Sequence, residues 1–132
     1  MKIVIKAKHS KAMLEIAYGA FGIIVVKIIS DRMSINTLVG VDMVDAKSLR
    51  EFFVSLGTRK EMWYGRVSWN RQNFSLTAIC EPSNDVRFTV NQIETWSPEE
   101  VRYSIDIVID FAQLAAIGKT AKAFAPPSTS AD

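Results

Sequence analysis

At 132 residues and 14.8 kDa, the chain has the size of one hydrophobic core rather than two. Its 48% hydrophobic and 23% charged residues are those of a soluble globular protein, and a net charge of +2 argues against a dedicated nucleic-acid binder, which carries a pronounced basic face. One cysteine, Cys80, excludes an internal disulfide, and with a single histidine beside it no zinc site of familiar spacing can be built.

The first residues alternate, Lys2, Lys6 and Lys8 with Ile3, Ile5 and Ala7, and His9 and Lys11 follow. Lysines guarding an edge strand explain this density; a phosphate contact is the alternative. Charge arrives before a secretory apolar segment can form. The longest apolar run, residues 20–29, is broken by Gly22 and Lys27 and is too short to span a bilayer. A cytoplasmic protein without a membrane segment is therefore expected. Further strands are predicted at Ala12, Leu14, Ile16 and Tyr18, at 23–29, and at Ile35, Thr37, Val39 and Val41. The run 23–29 is apolar on both faces and should lie centrally in a sheet. Asp45 then offers an N-cap, Leu49, Phe52, Phe53 and Leu56 recur at helical spacing, and Gly57 marks the stop.

The order repeats in the second half. Strands are predicted over 65–69, 74–81, 85–94 and 99–109, followed by a helix capped by Asp110. Gln113 stands in capping-box spacing, and Phe111, Leu114, Ile117 and Ala121 form an apolar face. The two halves share an architecture while their residue identities barely match. Loops at 70–73, 82–84 and 95–98 predict an antiparallel meander with Trp69 opposite Phe74, Ala78 opposite Phe88, and Phe88 opposite Ile105. The other face then carries Arg66, Ser68, Thr77, Arg87, Thr89, Arg102, Ser104 and Asp106, a polar surface rich in hydroxyls. The tail 125–132, with Pro126 and Pro127, is expected to be disordered.

No catalytic constellation emerges. Cys80 lies in the apolar register of its strand, far in sequence from His9, and reads as a buried inert thiol. Asp42 with Asp45, or Glu99 with Glu100, could hold a metal through oxygen, but capping accounts for Asp45 and Asp110 without one. Asp106 is expected opposite Arg87 as a cross-strand ion pair. The string Gly19, Ala20, Phe21, Gly22 leads into a strand rather than a helix, so neither phosphate-loop pattern is met. An enzyme of another class would need a deep pocket joining Asp106, Arg87 and Tyr103.

The aromatics remain. Trp63, Tyr64 and Trp69 stand among Arg59, Lys60, Arg66 and Arg71, as the side chains of a single-strand nucleic-acid binder do. Register places Trp69 with Val67 in the core. Trp63 and Tyr64 either pack on the rim or form a contact surface. Trp96, in a loop before Ser97 and Pro98, is expected to be exposed.

Residues 45–124, about 60% of the chain, resemble a family of small bacterial domains of unknown function, some similar to immunity proteins that neutralise secreted toxins of neighbouring bacteria. The likeness is carried by Leu49, Phe52, Phe53, Trp63, Gly65, Trp69, Leu76, Asp85, Val86, Phe88, Val90, Trp96, Ile105, Ile107 and Leu114. These are mostly core formers, and the resemblance supplies no catalytic residues. Immunity proteins against nucleases tend to be acidic, so this slightly basic chain departs from that type.

The expected fold is α+β: antiparallel sheet of seven to eight strands in two β-rich halves, each followed by one helix (ββββα-ββββα), in one domain over 1–124. The expected function is non-enzymatic protein binding, most concretely an immunity-type protein that blocks a cognate toxin, without cofactor or metal. Trp63, Tyr64, Arg66, Arg87, Trp96 and Arg102 are the candidate contacts. The alternative is a small-ligand or nucleic-acid binding module using the Trp63/Tyr64 cluster. An edge strand, such as the first, offers a route to a homodimer.

Overall fold

A computed structural model describes residues 2–19, 22–71, 73–94 and 99–124, apart from the side chain of Met43. The predicted tail and Trp96 lie outside the described residues. The first sheet is built from β1 (Lys2–Lys6), β2 (Met13–Tyr18), β3 (Ile23–Ile29) and β4 (Ser34–Gly40), and α1 (Met43–Gly57) follows. The second is built from β5 (Val67–Asn70), β6 (Phe74–Glu81), β7 (Asp85–Glu94) and β8 (Val101–Asp110). A 3₁₀ turn at Phe111–Gln113 then runs into α2 (Leu114–Ala121). Both sheets are antiparallel meanders in chain order. The protein is α+β with the architecture ββββα-ββββα.

Alternation explains the layering. Ile3, Ile5, Leu14, Ile16, Ile24, Val26 and Ile28 point to one face of the first sheet; Leu76, Ala78, Val86, Phe88, Val90 and Ile107 point to one face of the second. These residues and the apolar sides of both helices form one buried cluster. Contacts cross between the halves. Phe53 of α1 lies 6.3 Å from Phe88 of β7, ring centre to ring centre, while Phe124, just beyond α2, meets Tyr18 of β2 edge-on at 6.1 Å. The edges β1 and β8 adjoin, where the Lys8 amide donates to the Val108 carbonyl at 3.0 Å.

The helices touch at two glycines. A Cβ on Gly57 would stand 2.8 Å from Gly118 Cα and 2.9 Å from the Leu114 carbonyl oxygen. Gly57, expected as a stop signal, is instead the last helical residue, and its missing side chain admits the second helix. The cap differs as well. Asp42, not Asp45, occupies the N-cap: its carboxylate accepts from the Asp45 amide at 2.7 Å, and the Asp45 carboxylate accepts from the Asp42 amide at 3.2 Å.

Three registers test the predicted meander. Cys80 faces Val86 and Ala78 faces Phe88, as expected from the three-residue loop 82–84. Elsewhere the pairing is displaced by two residues: Trp69 faces Leu76, and Phe88 faces Ile107. The apolar face is unchanged, because alternation fixes register only to the nearest even step. Arg87 consequently lies opposite Val108 and reaches Asp106 diagonally, Nη1 to Oδ2 at 3.2 Å. β3 is an inner strand, but it is not buried on both faces, since Val25 is exposed. Cys80 is half-buried rather than buried, being close to the end of its sheet.

Candidate functional site

Past α1 the chain runs without regular structure from Arg59 to Arg66 before entering β5. Trp63 anchors this segment. Its amide donates to Cys80 Sγ at 3.4 Å, its ring lies 6.3 Å from that of Phe111, and the Arg59 guanidinium sits 4.9 Å above it. The indole Nε1 is buried without a hydrogen-bond partner among the described residues. Gly65 then adopts φ +81°, a left-handed conformation that side chains disfavour. On either side of it Tyr64 is fully exposed and Arg66 exposed.

This segment forms one wall of an open cleft of about 740 Å³. The facing wall is the end of β6 and its turn: Ile79, Cys80, Glu81, Pro82 and Asn84. The turn is tight because Asn84 accepts φ +67°, a conformation Asn tolerates better than most residues, and because Ser83 Oγ donates to Asp85 Oδ2 at 2.9 Å.

Ion pairs fix the surroundings. Lys8 Nζ lies 2.6 Å from Asp85 Oδ1 and 2.9 Å from Asp110 Oδ1, tying the end of the first hairpin to the second sheet. Hydrogen bonds to Asp85 and then Asp110 hold the Lys8 ammonium above its ordinary range, and the bond from Lys8, then that from Ser83, holds the Asp85 carboxyl below its own. Arg87 pairs with Glu81 and Asp106; the hydrogen bond that its Nε donates to the Glu81 carboxylate is the main reason that its guanidinium is held more firmly protonated. Thr89 Oγ1 donates to Asp106 Oδ1 at 2.8 Å. Lys8, expected among the lysines guarding an edge, is therefore engaged beyond the end of β1.

Of the predicted contacts, Trp63, Tyr64 and Arg66 come together in the cleft, and Arg87 adjoins it through Glu81. Arg102 does not. It pairs in register with Ile93, near the opposite end of the sheet, and with Glu100 at 2.9 Å. Trp69 is core, as register implied, and its Nε1 donates to Ser48 Oγ at 2.8 Å. Asp106 and Tyr103 lie on opposite faces of β8, so the three residues of the conceivable enzymatic pocket do not converge. Among the described residues no group of three or more His, Cys, Asp and Glu side chains could hold a metal, and no helix is long and apolar enough to cross a membrane. Sequence reasoning missed the 79–84 wall. Its one local signal was the Pro82, Ser83, Asn84 turn.

No protein-family model matches the chain, and no curated protein matches it. Among solved structures, a chain from the MRP1/MRP2 crystal structures of Trypanosoma brucei is similar over 92% of this chain and 80% of its own, at 13% identity and a TM-score of 0.48. That likeness is too loose to bear on function.

Proposed function

We propose that this protein is a non-enzymatic, protein-binding domain, in the manner of a cytoplasmic immunity protein that occludes a cognate toxin. The observation that carries the reading is the full exposure of Tyr64 beside Arg66 at the mouth of the cleft. A tyrosine has few rotatable bonds to immobilise, and an arginine offers five donors in a fixed fork, so both contribute strongly when a partner covers them. Trp63 lines the same cleft. Arg66 has no ion pair among the described residues, whereas Arg87 and Arg102 are already engaged by carboxylates. A partner that offers a carboxylate to Arg66 and a flat apolar group to Tyr64 fits this mouth. Self-association through an edge strand is compatible with the reading, because no residue of β4 lines the cleft.

The alternative, a small-ligand or nucleic-acid module stacking on Trp63 and Tyr64, has less support. Trp63 is packed between Phe111 and Arg59, which leaves Tyr64 alone as a platform.

Calorimetric titration with the product of the adjacent gene tests the proposal. Saturable binding is expected, and Tyr64→Ala with Arg66→Ala should weaken it by at least about 2 kcal/mol, roughly 30-fold. Absence of binding, or an affinity that the double variant leaves unaltered, contradicts it.

A further inference from the structure

The two sheets have four edges, and three are managed. β1 carries Lys2 and Lys6 and runs beside β8 through the Lys8 to Val108 hydrogen bond. β8 carries Arg102, Asp106 and Asp110. β5 has only four residues and is flanked by α1, through Trp69 to Ser48 and Arg71 to Asp45. The fourth edge, β4, is seven residues long and contains no charge and no proline: Ser-Ile-Asn-Thr-Leu-Val-Gly. A long, uncharged, β-branched edge is a template for another strand.

Its hydrogen-bonding side can be assigned. The Val41 amide donates to the Gly22 carbonyl, and the Met33 carbonyl accepts from Ser30, so odd-numbered residues bond toward β3. Ser34, Asn36, Leu38 and Gly40 therefore direct their N–H and C=O groups outward, and among the described residues none of these groups has a recorded partner. Leu38 is 63% exposed, and Ile35 and Thr37, on the core face, are only half-buried because the sheet ends there.

We propose that β4 pairs antiparallel with β4 of a second copy, joining two four-stranded sheets into one of eight. The occupant follows from the strand itself. The register that pairs all four outward residues is centred on Thr37. It sets Ser34 opposite the partner's Gly40, Asn36 opposite the partner's Leu38, and Ile35 opposite the partner's Val39. β-Branched residues meet on the core face and no like charges oppose each other. Two residues beyond the strand at either end, the same register places Arg32, which has no ion pair among the described residues, opposite the partner's Asp42, whose carboxylate also caps α1. That charge complementarity occurs twice, once at each end, as a two-fold axis requires.

Sedimentation of the full chain over a dilution series, read with amide hydrogen exchange, decides the matter. The wild type is expected at twice the 14.8 kDa chain mass, with the Asn36 and Leu38 amides protected at high concentration and exchanging freely on dilution. Leu38→Lys sets an ammonium beside the partner's Asn36 and one strand from the partner's Lys27, and should give a monomer. Val25→Lys, one strand in from the edge on the same face, should leave the dimer intact. A wild type that is monomeric throughout overturns the proposal, as does a dimer whose Asn36 and Leu38 amides stay unprotected or one that Val25→Lys dissociates. None of these outcomes depends on Tyr64 or Arg66, so this proposal and the cleft reading can fail separately.

Discussion

The two sheets share a topology and differ in what they show to solvent. On the second sheet the outer face is a polar ladder, with Ser68 bonded to Thr77, Thr89 to Asp106, and Arg87 held by two carboxylates. On the first, Val25 and Leu38 are exposed, and the edge beside them carries no charge. A surface whose polar groups are already satisfied by one another gains little from a partner, whereas exposed apolar groups and open backbone gain much. The same ββββα unit thus presents a self-satisfied face in one half and an unsatisfied edge in the other. The second half adds a cleft where Arg66, unlike Arg87, is left without a partner among the described residues.

What the halves share can be broken first. Phe53 is fully buried on α1 and faces Phe88 across the common core. Phe53→Ala should cost about 3–5 kcal/mol. Chemical denaturation followed by both tryptophan fluorescence and circular dichroism should still give coincident transitions, since one cluster joins the halves; two separated transitions would show that they fold apart. Gly118→Ala attacks the helix crossing, where the new Cβ would lie 2.9 Å from Gly57 Cα. Overpacking of this kind costs about 1–3 kcal/mol, readable as a lower denaturation midpoint with an unchanged slope.

Lys8→Met removes the ionic tie between the halves, and its effect should depend on pH. Asp85 is held below its ordinary value of 3.8, so its contribution is present above that value and lost as pH falls through the folded one. Lys8 is held above its ordinary 10.5, so its contribution is full below that value and lost as pH rises through the folded one. The variant should be less stable than wild type between pH 3.8 and 10.5. The two should converge in acid and in alkali when melting is followed across pH. A constant difference at every pH would mean that packing, not charge, accounts for the effect. Tyr64→Ala should change stability least, by under about 0.5 kcal/mol, because its side chain is fully exposed. A marked fall in melting temperature would show that Tyr64 is structural after all.

Much of this fold was legible in the chain. The strand and helix order, the core faces and the 82–84 loop all follow from alternation, helical spacing and turn chemistry at particular residues. The two-residue displacements at β5–β6 and β7–β8 were not legible. Loops of three or four residues give the same apolar face when the register slips by an even step, so Trp69 meets Leu76 at no cost to the pattern. Asp42 was legible in principle, three residues before Asp45, but either aspartate has the chemistry of a cap. The cleft was half visible. Tyr64 and Arg66 stand out as an aromatic and a cation around a glycine, while the opposing wall depends on β6 returning to them. The Lys8 clamp joins residues 77 positions apart, and no local pattern announces such a contact.

If the mouth formed by Tyr64 and Arg66 is the contact surface, a bound partner must cover it. Amide hydrogen exchange on the complex with the adjacent gene's product tests it most directly. Slowed exchange is expected at 62–66 and at Glu81, Ser83 and Asn84, with the amides of Ser75, Asn91 and Ser104 on the far part of the polar face unchanged. Slowed exchange on that face, with 62–66 unaltered, would contradict it.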